Sequence, residues 1–233
     1  MKFEAMRPSG LVDNIRDQLH RAILGGQLAP GSVLRESLIA ADMQVSRAPV
    51  REALRLLEDS GLVEKTPNRP YRVAEFTHED LVDLASMRIA LEELAVRLAI
   101  GTDPDLSAAR EALDQMREGV DAGATPDIIA ADRAFHEALI QAAGNRRLDA
   151  AYSRLRDQIE LAIFTGVAGG SPVLADIHER HSDFLDRYIR TIREGDPTVL
   201  LPLLEDHVAR GMGVAVPERW PPLAALVPAA PTA

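Results

Sequence analysis

Three histidines and one aspartate in the second half of the chain are residues that could bind a divalent metal. Asp132 and His136 are four residues apart in ADRAFHEALIQAAG, so on a helix they share a face. His181 lies on the apolar stripe of a second predicted helix, and His207 lies on that of a third. Three imidazoles and one carboxylate form a ligand set with positions left open for water or ligand. Zinc is the metal we expect, with nickel or manganese as alternatives.

Other interpretations of these four residues stay open. A single histidine on an apolar helix face is more often a hydrogen-bonded core residue than a metal ligand, because buried polar groups usually find ordinary partners. The helices would then form a metal-free dimerisation module. A bound metal could also activate water in a hydrolase. The sequence contains no H-E-x-x-H, P-loop or G-x-S-x-G motif that would support an enzyme.

Arg47, Arg51 and Arg55 place three cations at four-residue spacing in VSRAPVREALRLLEDSGLVEK. On an α-helix this spacing drifts by only about 40° per step, so the three side chains share one face. The whole chain has a formal net charge of −10, yet residues 1–76 carry 11 Lys and Arg against 10 Asp and Glu. A charged stripe is also common on solvated helix faces, so its position in the fold decides its meaning.

The segment 1–76 has the pattern of a winged helix-turn-helix. Apolar residues recur at helical spacing, glycine and proline end the runs, and two β-forming segments flank the sequence PNRP as a small hairpin. The predicted elements are helices over 9–24, 35–42 and from the N-cap Ser46 to Gly61, with strands over 62–64 and 71–73. The arginine stripe then begins at the N-terminus of the second helix of the helix-turn-helix. Such a helix enters the major groove of DNA, which favours a DNA-binding role.

Residues 77–213 predict an antiparallel all-α helical bundle, so the fold class is mainly α. Thr77-His78-Glu79-Asp80 is typical of a capping box and opens a long helix to about Ile100. Five more helices joined by short loops are predicted near 105–121, 126–143, 146–165, 173–194 and 197–213. Residues 214–233 are rich in proline and alanine and are expected to form a loose tail.

Composition excludes several classes of protein. The chain has no cysteine, so disulfides, thiolate metal sites and cysteine nucleophiles are excluded. No apolar run approaches the ~18 residues that a membrane span needs, and the N-terminus lacks the pattern of a signal peptide. We therefore expect a cytoplasmic protein that has no membrane partner.

The sequence PGSVLRESLIAADMQVSRAPVREALRLLEDSGLV resembles the DNA-binding domain of the GntR family of bacterial transcription regulators. The shared pattern consists of PG, L-x-E, V-S-R-x-P-V-R-E-A-L and G-L-V, and the resemblance covers residues 11–75. It implies that Arg47 and Arg51 contact double-stranded operator DNA. It also implies that Ser46 or Arg55 binds phosphate.

Two positions depart from the family pattern. A basic residue usually follows the glutamate of the second helix, whereas here Ser37 stands there and Arg35 lies two residues earlier. Arg35 is therefore the candidate substitute. The wing tip is usually Arg-Gly and here is Arg69-Pro70, in which the proline lacks a backbone N–H. Arg69 is the candidate for a minor-groove or phosphate contact.

Residues 77–213 resemble the FCD effector-binding domain found in the FadR-like subgroup of the same family. The matching segments are R-x-x-L-E at Arg88–Glu92, D-x-x-F-H at Asp132–His136, A-G-N ending at Asn145, H-x-x-x-L from His181, G-D at Gly195–Asp196, and the helical His207. The resemblance implies that Asp132, His136, His181 and His207 bind the metal. It also implies that the metal, with Arg88 and Asn145 nearby, holds a small carboxylate or sugar-acid effector. For Arg88, a salt bridge inside the bundle is an equally good interpretation.

These features together predict a homodimeric transcription regulator, a repressor and not an enzyme. Two winged helices would bind a pseudo-palindromic operator whose half-sites mirror the protein two-fold axis. The effector would change operator affinity through the bundle and the linker that follows the wing.

Overall fold

The computed structural model describes residues 10–168, 174 and 176–215, and ten α-helices and three β-strands lie within these residues. The elements are α1 (Gly10–Leu24), β1 (Val33–Leu34), α2 (Glu36–Asp42), α3 (Arg47–Asp59), β2 (Val63–Lys65), β3 (Tyr71–Val73), α4 (His78–Ala99), α5 (Ser107–Ala122), α6 (Thr125–Ala142), α7 (Arg146–Tyr152), α8 (Arg156–Ala168), α9 (Ile177–Glu194) and α10 (Leu200–Met212). The mainly helical fold is confirmed. The predicted tail lies outside the described residues apart from its first two positions.

The N-terminal helices α1, α2 and α3 pack around a small apolar core against a three-stranded antiparallel sheet of order β1-β3-β2. Val50, Leu54 and Leu57 of α3 are buried in this core, which leaves the opposite face of the helix to solvent. Strand β1 was not predicted, because two residues are too few to show the alternation of apolar and polar side chains that indicates a strand. It forms by pairing with β3, with Leu34 opposite Tyr71.

The wing between β2 and β3 turns without the usual glycine. Arg69 N donates to the carbonyl oxygen of Thr66 at 3.0 Å, which closes a four-residue turn. Pro67 occupies its second position and Asn68 its third, with φ of 62° at Asn68. A positive φ at the third position is what a type II turn requires, and asparagine tolerates it better than most residues.

Helix α4 opens the bundle with the predicted capping box. Asp80 N donates to Thr77 Oγ1 at 3.2 Å, and Thr77 N donates to the carboxylate of Asp80 at 2.8 Å. The helices α4 to α10 surround a second, larger apolar core that includes Phe135, Phe184 and Tyr188. In the described part of the chain, no helix is long and apolar enough to cross a membrane.

The single helix predicted over 146–165 is wrong, because the chain forms α7 and α8 with a break at 153–155. Leu155 N donates to Tyr152 O at 2.9 Å, a short i to i+3 bond, and Ser153 Oγ donates to Ala150 O at 3.1 Å. The tightened turn interrupts the helix just after Tyr152, whose side chain is buried in the bundle.

Helix α8 belongs to the bundle but also packs against the N-terminal domain. Leu161 is fully buried within the N-terminal core, whereas Ile163 is buried in the core of the bundle. The ring of Phe164 lies so close to Gly26 that a Cβ there would be 2.4 Å from it. His20 Nε2 of α1 lies 3.3 Å from Asp157 Oδ2 of α8. One helix therefore contacts both domains.

Candidate DNA interface and metal centre

A cleft of about 850 Å³ lies between the start of α2, the start of α3 and the wing. Its lining residues are Leu34, Arg35, Glu36, Ser37, Arg47, Arg51, Lys65, Asn68, Arg69, Pro70 and Tyr71. Five of these carry positive charge, so the cleft is the cationic concavity that nucleic-acid backbones favour. The structure thus brings Arg35 and Arg69 to the same cleft as Arg47 and Arg51 of α3, whereas Arg55 is not among the lining residues.

The arginine stripe of α3 lies on the solvent side, as its spacing predicts. The side chains of Arg47, Arg51 and Arg55 are 63%, 53% and 65% exposed. Ser46 occupies the N-cap position of α3, and its side chain makes no capping hydrogen bond. Lys65 is an additional cation that the sequence pattern did not indicate, and its ammonium lies 4.5 Å from the centre of the Tyr71 ring.

Arg51 makes a bidentate ion pair with Glu36 across the cleft. Its Nε donates to Oε1 and Oε2 of Glu36 at 3.1 Å each, and its Nη2 donates to Oε2 at 2.8 Å. Arg47 Nη2 lies farther from the same carboxylate, at 3.5 Å. The hydrogen bond from Arg51 lowers the pKa of Glu36, so this carboxylate is ionised at neutral pH.

In the bundle, His136 of α6, His181 of α9 and His207 of α10 converge at one point. Their ligand nitrogens all lie within 4.8 Å of one another, and all three residues are buried. His136 Nε2 lies 3.3 Å from His181 Nε2 and 3.2 Å from His207 Nε2. Two nitrogens bound at about 2.0–2.1 Å to a tetrahedral zinc are about 3.3 Å apart, so the spacing fits such an ion. Asp132 Oδ1 lies beside the cluster, 2.9 Å from His181 Nε2.

Hydrogen-bond partners determine which nitrogen of two imidazoles carries the proton. His136 Nδ1 lies 2.9 Å from Glu92 Oε2, and His181 Nδ1 lies 2.7 Å from the carbonyl oxygen of Ile177. Carboxylates and carbonyls only accept hydrogen bonds, so each neutral imidazole donates from Nδ1 and has its lone pair on Nε2. These lone pairs converge with the carboxylate of Asp132. Buried acceptors without a donor are unfavourable, whereas a divalent cation satisfies all of them together.

Burial favours the neutral form, which metal binding requires, in two of the imidazoles, those of His136 and His207. Burial is the main cause that lowers the pKa of His136, and the positive charge of Arg88 lowers it further. Burial, followed by the neighbouring histidines, lowers the pKa of His207 well below its usual value. Although burial alone would raise the pKa of Asp132, the groups around it, including the guanidinium of Arg88, hold this pKa below its usual range. His136 and His207 therefore offer neutral nitrogens, and Asp132 offers an anionic oxygen, at neutral pH.

Glu92 connects the cluster to two further buried side chains. Arg88 Nε donates to Glu92 Oε1 at 2.8 Å, and Tyr152 Oη donates to the same oxygen at 3.1 Å. Burial would raise the pKa of Glu92, but His136 and Arg88 lower it to about 2. Of the two interpretations of Arg88, the salt bridge inside the bundle is thus present. Nη2 of Arg88 also lies 3.9 Å from Asp132 Oδ2, on the side of the cluster.

A small cavity of about 10 Å³ adjoins the cluster. It has room for about one water molecule. Its lining residues are Arg88, Asp132, Ile163, Ile177, Arg180, His181, His207 and Gly211. Arg180 was missed in the sequence because it falls beside His181 and off the apolar stripe. Asn145 lies elsewhere, in a surface cleft with Leu98 and Arg147, and its side chain caps α7 by accepting from Arg147 N at 3.0 Å.

Comparison with known families identifies both halves of the chain. Residues 11–73 match the family described as "Bacterial regulatory proteins, gntR family", and residues 83–210 match the FCD domain. The chain belongs to the GntR family. It is therefore a DNA-binding transcription regulator with a ligand-binding FCD domain, and it is not an enzyme.

Relatives of this GntR regulator support the assignment over most of its length. It is 32% identical over 200 residues to the probable D-xylose utilization operon transcriptional repressor of Paenarthrobacter nicotinovorans, covering 85% of this chain and 86% of that one. An uncharacterized HTH-type transcriptional regulator of Bacillus subtilis is 35% identical over 98 residues, 42% of this chain and 44% of the relative. The crystal structure of a GntR transcriptional regulator from Rhodococcus sp. RHA1 has a TM-score of 0.72 at 28% identity, covering 88% and 99% of the two chains.

Proposed function

We propose that this GntR regulator is a homodimeric, cytoplasmic repressor whose operator affinity is set by a small carboxylate or sugar acid bound at a divalent metal. The observation that carries the proposal is the convergence of His136, His181 and His207 with Asp132 in the buried centre of the FCD domain. Zinc is the metal we expect, with nickel or manganese as alternatives.

The cavity beside the cluster supports an anionic effector. Arg88 and Arg180 both line it, so a carboxylate bound to the metal would lie near two cations. The present cavity of about 10 Å³ is too small for a sugar acid, so effector binding requires the surrounding helices to move apart. The relative from Paenarthrobacter nicotinovorans is named for the D-xylose utilization operon, which favours a sugar-derived effector.

The cleft of the N-terminal domain supports operator binding by the lining residues Arg35, Arg47, Arg51 and Arg69. Ser46, at the N-cap of α3, and the exposed Arg55 would contact the operator from outside the cleft lining. Arg47 and Arg51 lie at the start of α3, where side chains of a helix-turn-helix reach base edges. Arg69 at the wing, together with Lys65, would contact the phosphate backbone on the other side of the cleft.

An exposed apolar stripe on α4 supports a dimer of two copies of this chain. Met87, Leu94 and Leu98 are 52%, 43% and 38% exposed, and the half-buried Leu91 lies between them. Their spacing of four, three and four residues places them on one helix face. A second α4 packed across a two-fold axis would cover this stripe and place two winged helices on one operator.

The substitution Leu94→Glu tests the dimer. A charge in the centre of an apolar interface is expected to leave a monomer in sedimentation equilibrium at micromolar concentration. Val120→Glu on α5 is the matched control, because Val120 has nearly the same exposure, 44%. A dimer that survives Leu94→Glu would show that α4 does not form the interface.

Metal analysis tests the site and separates the proposal from a metal-free dimerisation module. Purified protein is expected to hold about one zinc, nickel or manganese ion per chain, to lose it to a chelator, and to melt at a lower temperature afterwards. Thermal shifts with lactate, citrate and D-gluconate then identify the effector class. An absence of metal binding, with unchanged melting on metal addition, would favour purely structural histidines.

A further inference from the structure

A carboxylate is among the residues that line the cationic cleft of the DNA-binding domain. Among the lining residues of this cleft in the described chain, Glu36 is the single acid against five cations. Its side chain is 15% exposed, so it is held close to the cleft wall. A negative charge at this position repels the phosphates of an approaching duplex. Its presence therefore needs a reason other than overall attraction to DNA.

The geometry of the ion pair supplies that reason. The carboxylate of Glu36 occupies Nε and one N–H of Nη2 on Arg51, in the fork arrangement described above. A guanidinium has five N–H donors, so the two on Nη1 and the second on Nη2 remain. The edge formed by Nη1 and Nη2 presents two parallel donors. This pair matches the O6 and N7 acceptors of guanine in the major groove.

The neighbouring arginines lack such an anchor. Arg47 Nη2 lies 3.5 Å from Glu36, which is too far for a strong hydrogen bond. Arg55 Nη1 lies 3.7 Å from Glu52 in a pair exposed to solvent on both sides. A long, exposed arginine samples many rotamers, so only Arg51 is held in one orientation before DNA arrives.

We propose that Glu36 is a specificity-determining positioning residue, which holds the guanidinium of Arg51 so that its free edge reads one guanine in each operator half-site. The proposal rests on the base contact of Arg51 in the proposed function. It also assigns Glu36 two opposed effects. The carboxylate weakens sequence-independent attraction to DNA and strengthens discrimination between sequences.

The test compares Glu36→Gln with the wild-type full-length protein. Selection from a randomised duplex library first defines the sequence that the wild type prefers. Dissociation constants are then measured at fixed salt for that duplex and for a scrambled duplex of equal length. Glu52→Gln is the matched control, because it removes one negative charge from the same domain without touching Arg51. Circular dichroism melting checks that each variant is folded.

The expected result is a loss of discrimination without a loss of general DNA binding. Glu36→Gln should lower the ratio of specific to scrambled affinity by about tenfold or more, the range of one bidentate base contact. Its affinity for the scrambled duplex should stay equal or rise. A repeat selection with this variant should lose the preference for one guanine per half-site, whereas Glu52→Gln keeps it.

Two further variants keep the proposal falsifiable if Glu36→Gln folds poorly. Glu36→Asp retains the charge but cannot reach the fork, so it should also lose the guanine preference. In the double variant Glu36→Gln with Arg51→Ala, discrimination should equal that of Arg51→Ala alone, because Glu36 acts through Arg51. Unchanged guanine preference in Glu36→Gln or Glu36→Asp, or losses that multiply in the double variant, would overturn the inference. A wild type that enriches no sequence would instead overturn the proposed function.

Discussion

The strongest argument for a metal comes from single nitrogen atoms. The Nδ1 atoms of His136 and His181 donate to groups that can only accept, so their Nε2 lone pairs point at each other across 3.3 Å. A hydrogen-bonded core histidine would show a donor facing an acceptor. Here two acceptors face each other instead, beside the carboxylate of Asp132. This arrangement favours a cation between the two Nε2 atoms.

Glu92→Gln should weaken metal binding about 10- to 100-fold, because the amide no longer fixes the tautomer and orientation of His136. Competition with a chromophoric chelator measures this affinity directly. Glu160→Gln is the control, since Glu160 is also a buried carboxylate of the bundle but pairs with Arg133 instead of a histidine. Equal losses in both variants would indicate general destabilisation, and retention of affinity in Glu92→Gln would contradict the positioning role.

At the residue scale, spacing predicted part of the site. The four-residue separation of Asp132 and His136, and the place of His181 and His207 on apolar stripes, were enough to predict their convergence. Glu92 belongs to the R-x-x-L-E segment, but the sequence assigned it no role. Only the three-dimensional structure shows that its side chain reaches His136 on another helix. Lys65 was missed because its cleft forms only when the wing packs beside α3.

At the scale of elements, α8 is the helix through which the two domains meet. Leu161 completes the core of the N-terminal domain, while Ile163 of the same helix lines the cavity beside the metal cluster. Glu160 Oε2 of α8 also forms an ion pair with Arg133 Nε of α6, at 3.0 Å. Arg133 directly follows Asp132 in the sequence. A displacement of α8 on effector binding would therefore act on the position of the winged helix.

Leu161→Ala should destabilise the N-terminal domain although the residue belongs to the bundle. Loss of a fully buried leucine costs about 2–5 kcal/mol. Hydrogen exchange should then show faster exchange in α1 and α3, with α5 and α6 unchanged as the internal control. Unchanged protection in α1 and α3 would mean that α8 contributes nothing to the N-terminal core.

The boundaries of helices and strands show where the periodicity of apolar residues no longer predicts the structure. The capping box at Thr77 predicted the start of α4, since both of its hydrogen bonds are local. The break between α7 and α8 has no glycine or proline to mark it, and burial of Tyr152 beside Glu92 accompanies it. Strand β1 depends entirely on pairing with β3, a long-range contact that two residues cannot signal.

At the scale of the whole molecule, charge is divided between the two halves. Residues 77–233 carry 15 Lys and Arg against 26 Asp and Glu, so the bundle repels DNA. Attraction must come from the N-terminal domain, whose cleft is lined by five cations. The division explains how an acidic regulator binds an acidic polymer with a defined orientation.

Operator affinity should fall steeply with salt. Cations from two cleft copies would release condensed counterions, and a protein making at least six phosphate contacts loses about a thousandfold in affinity between 50 and 200 mM salt. Fluorescence anisotropy over this range gives the slope, and Arg187→Ala on α9 serves as the control for a cation outside the cleft. A slope near zero would contradict phosphate binding by the cleft.

The most direct test of regulation through the metal is operator affinity at fixed salt, measured with zinc-loaded and metal-stripped protein and titrated with the acid that gives the largest thermal shift. The coupling expected between effector and operator is about 5- to 150-fold. We predict this change in zinc-loaded wild type and its absence in stripped protein and in His207→Ala. The same change without metal, or no change in the loaded protein, would contradict regulation of operator binding through the metal centre.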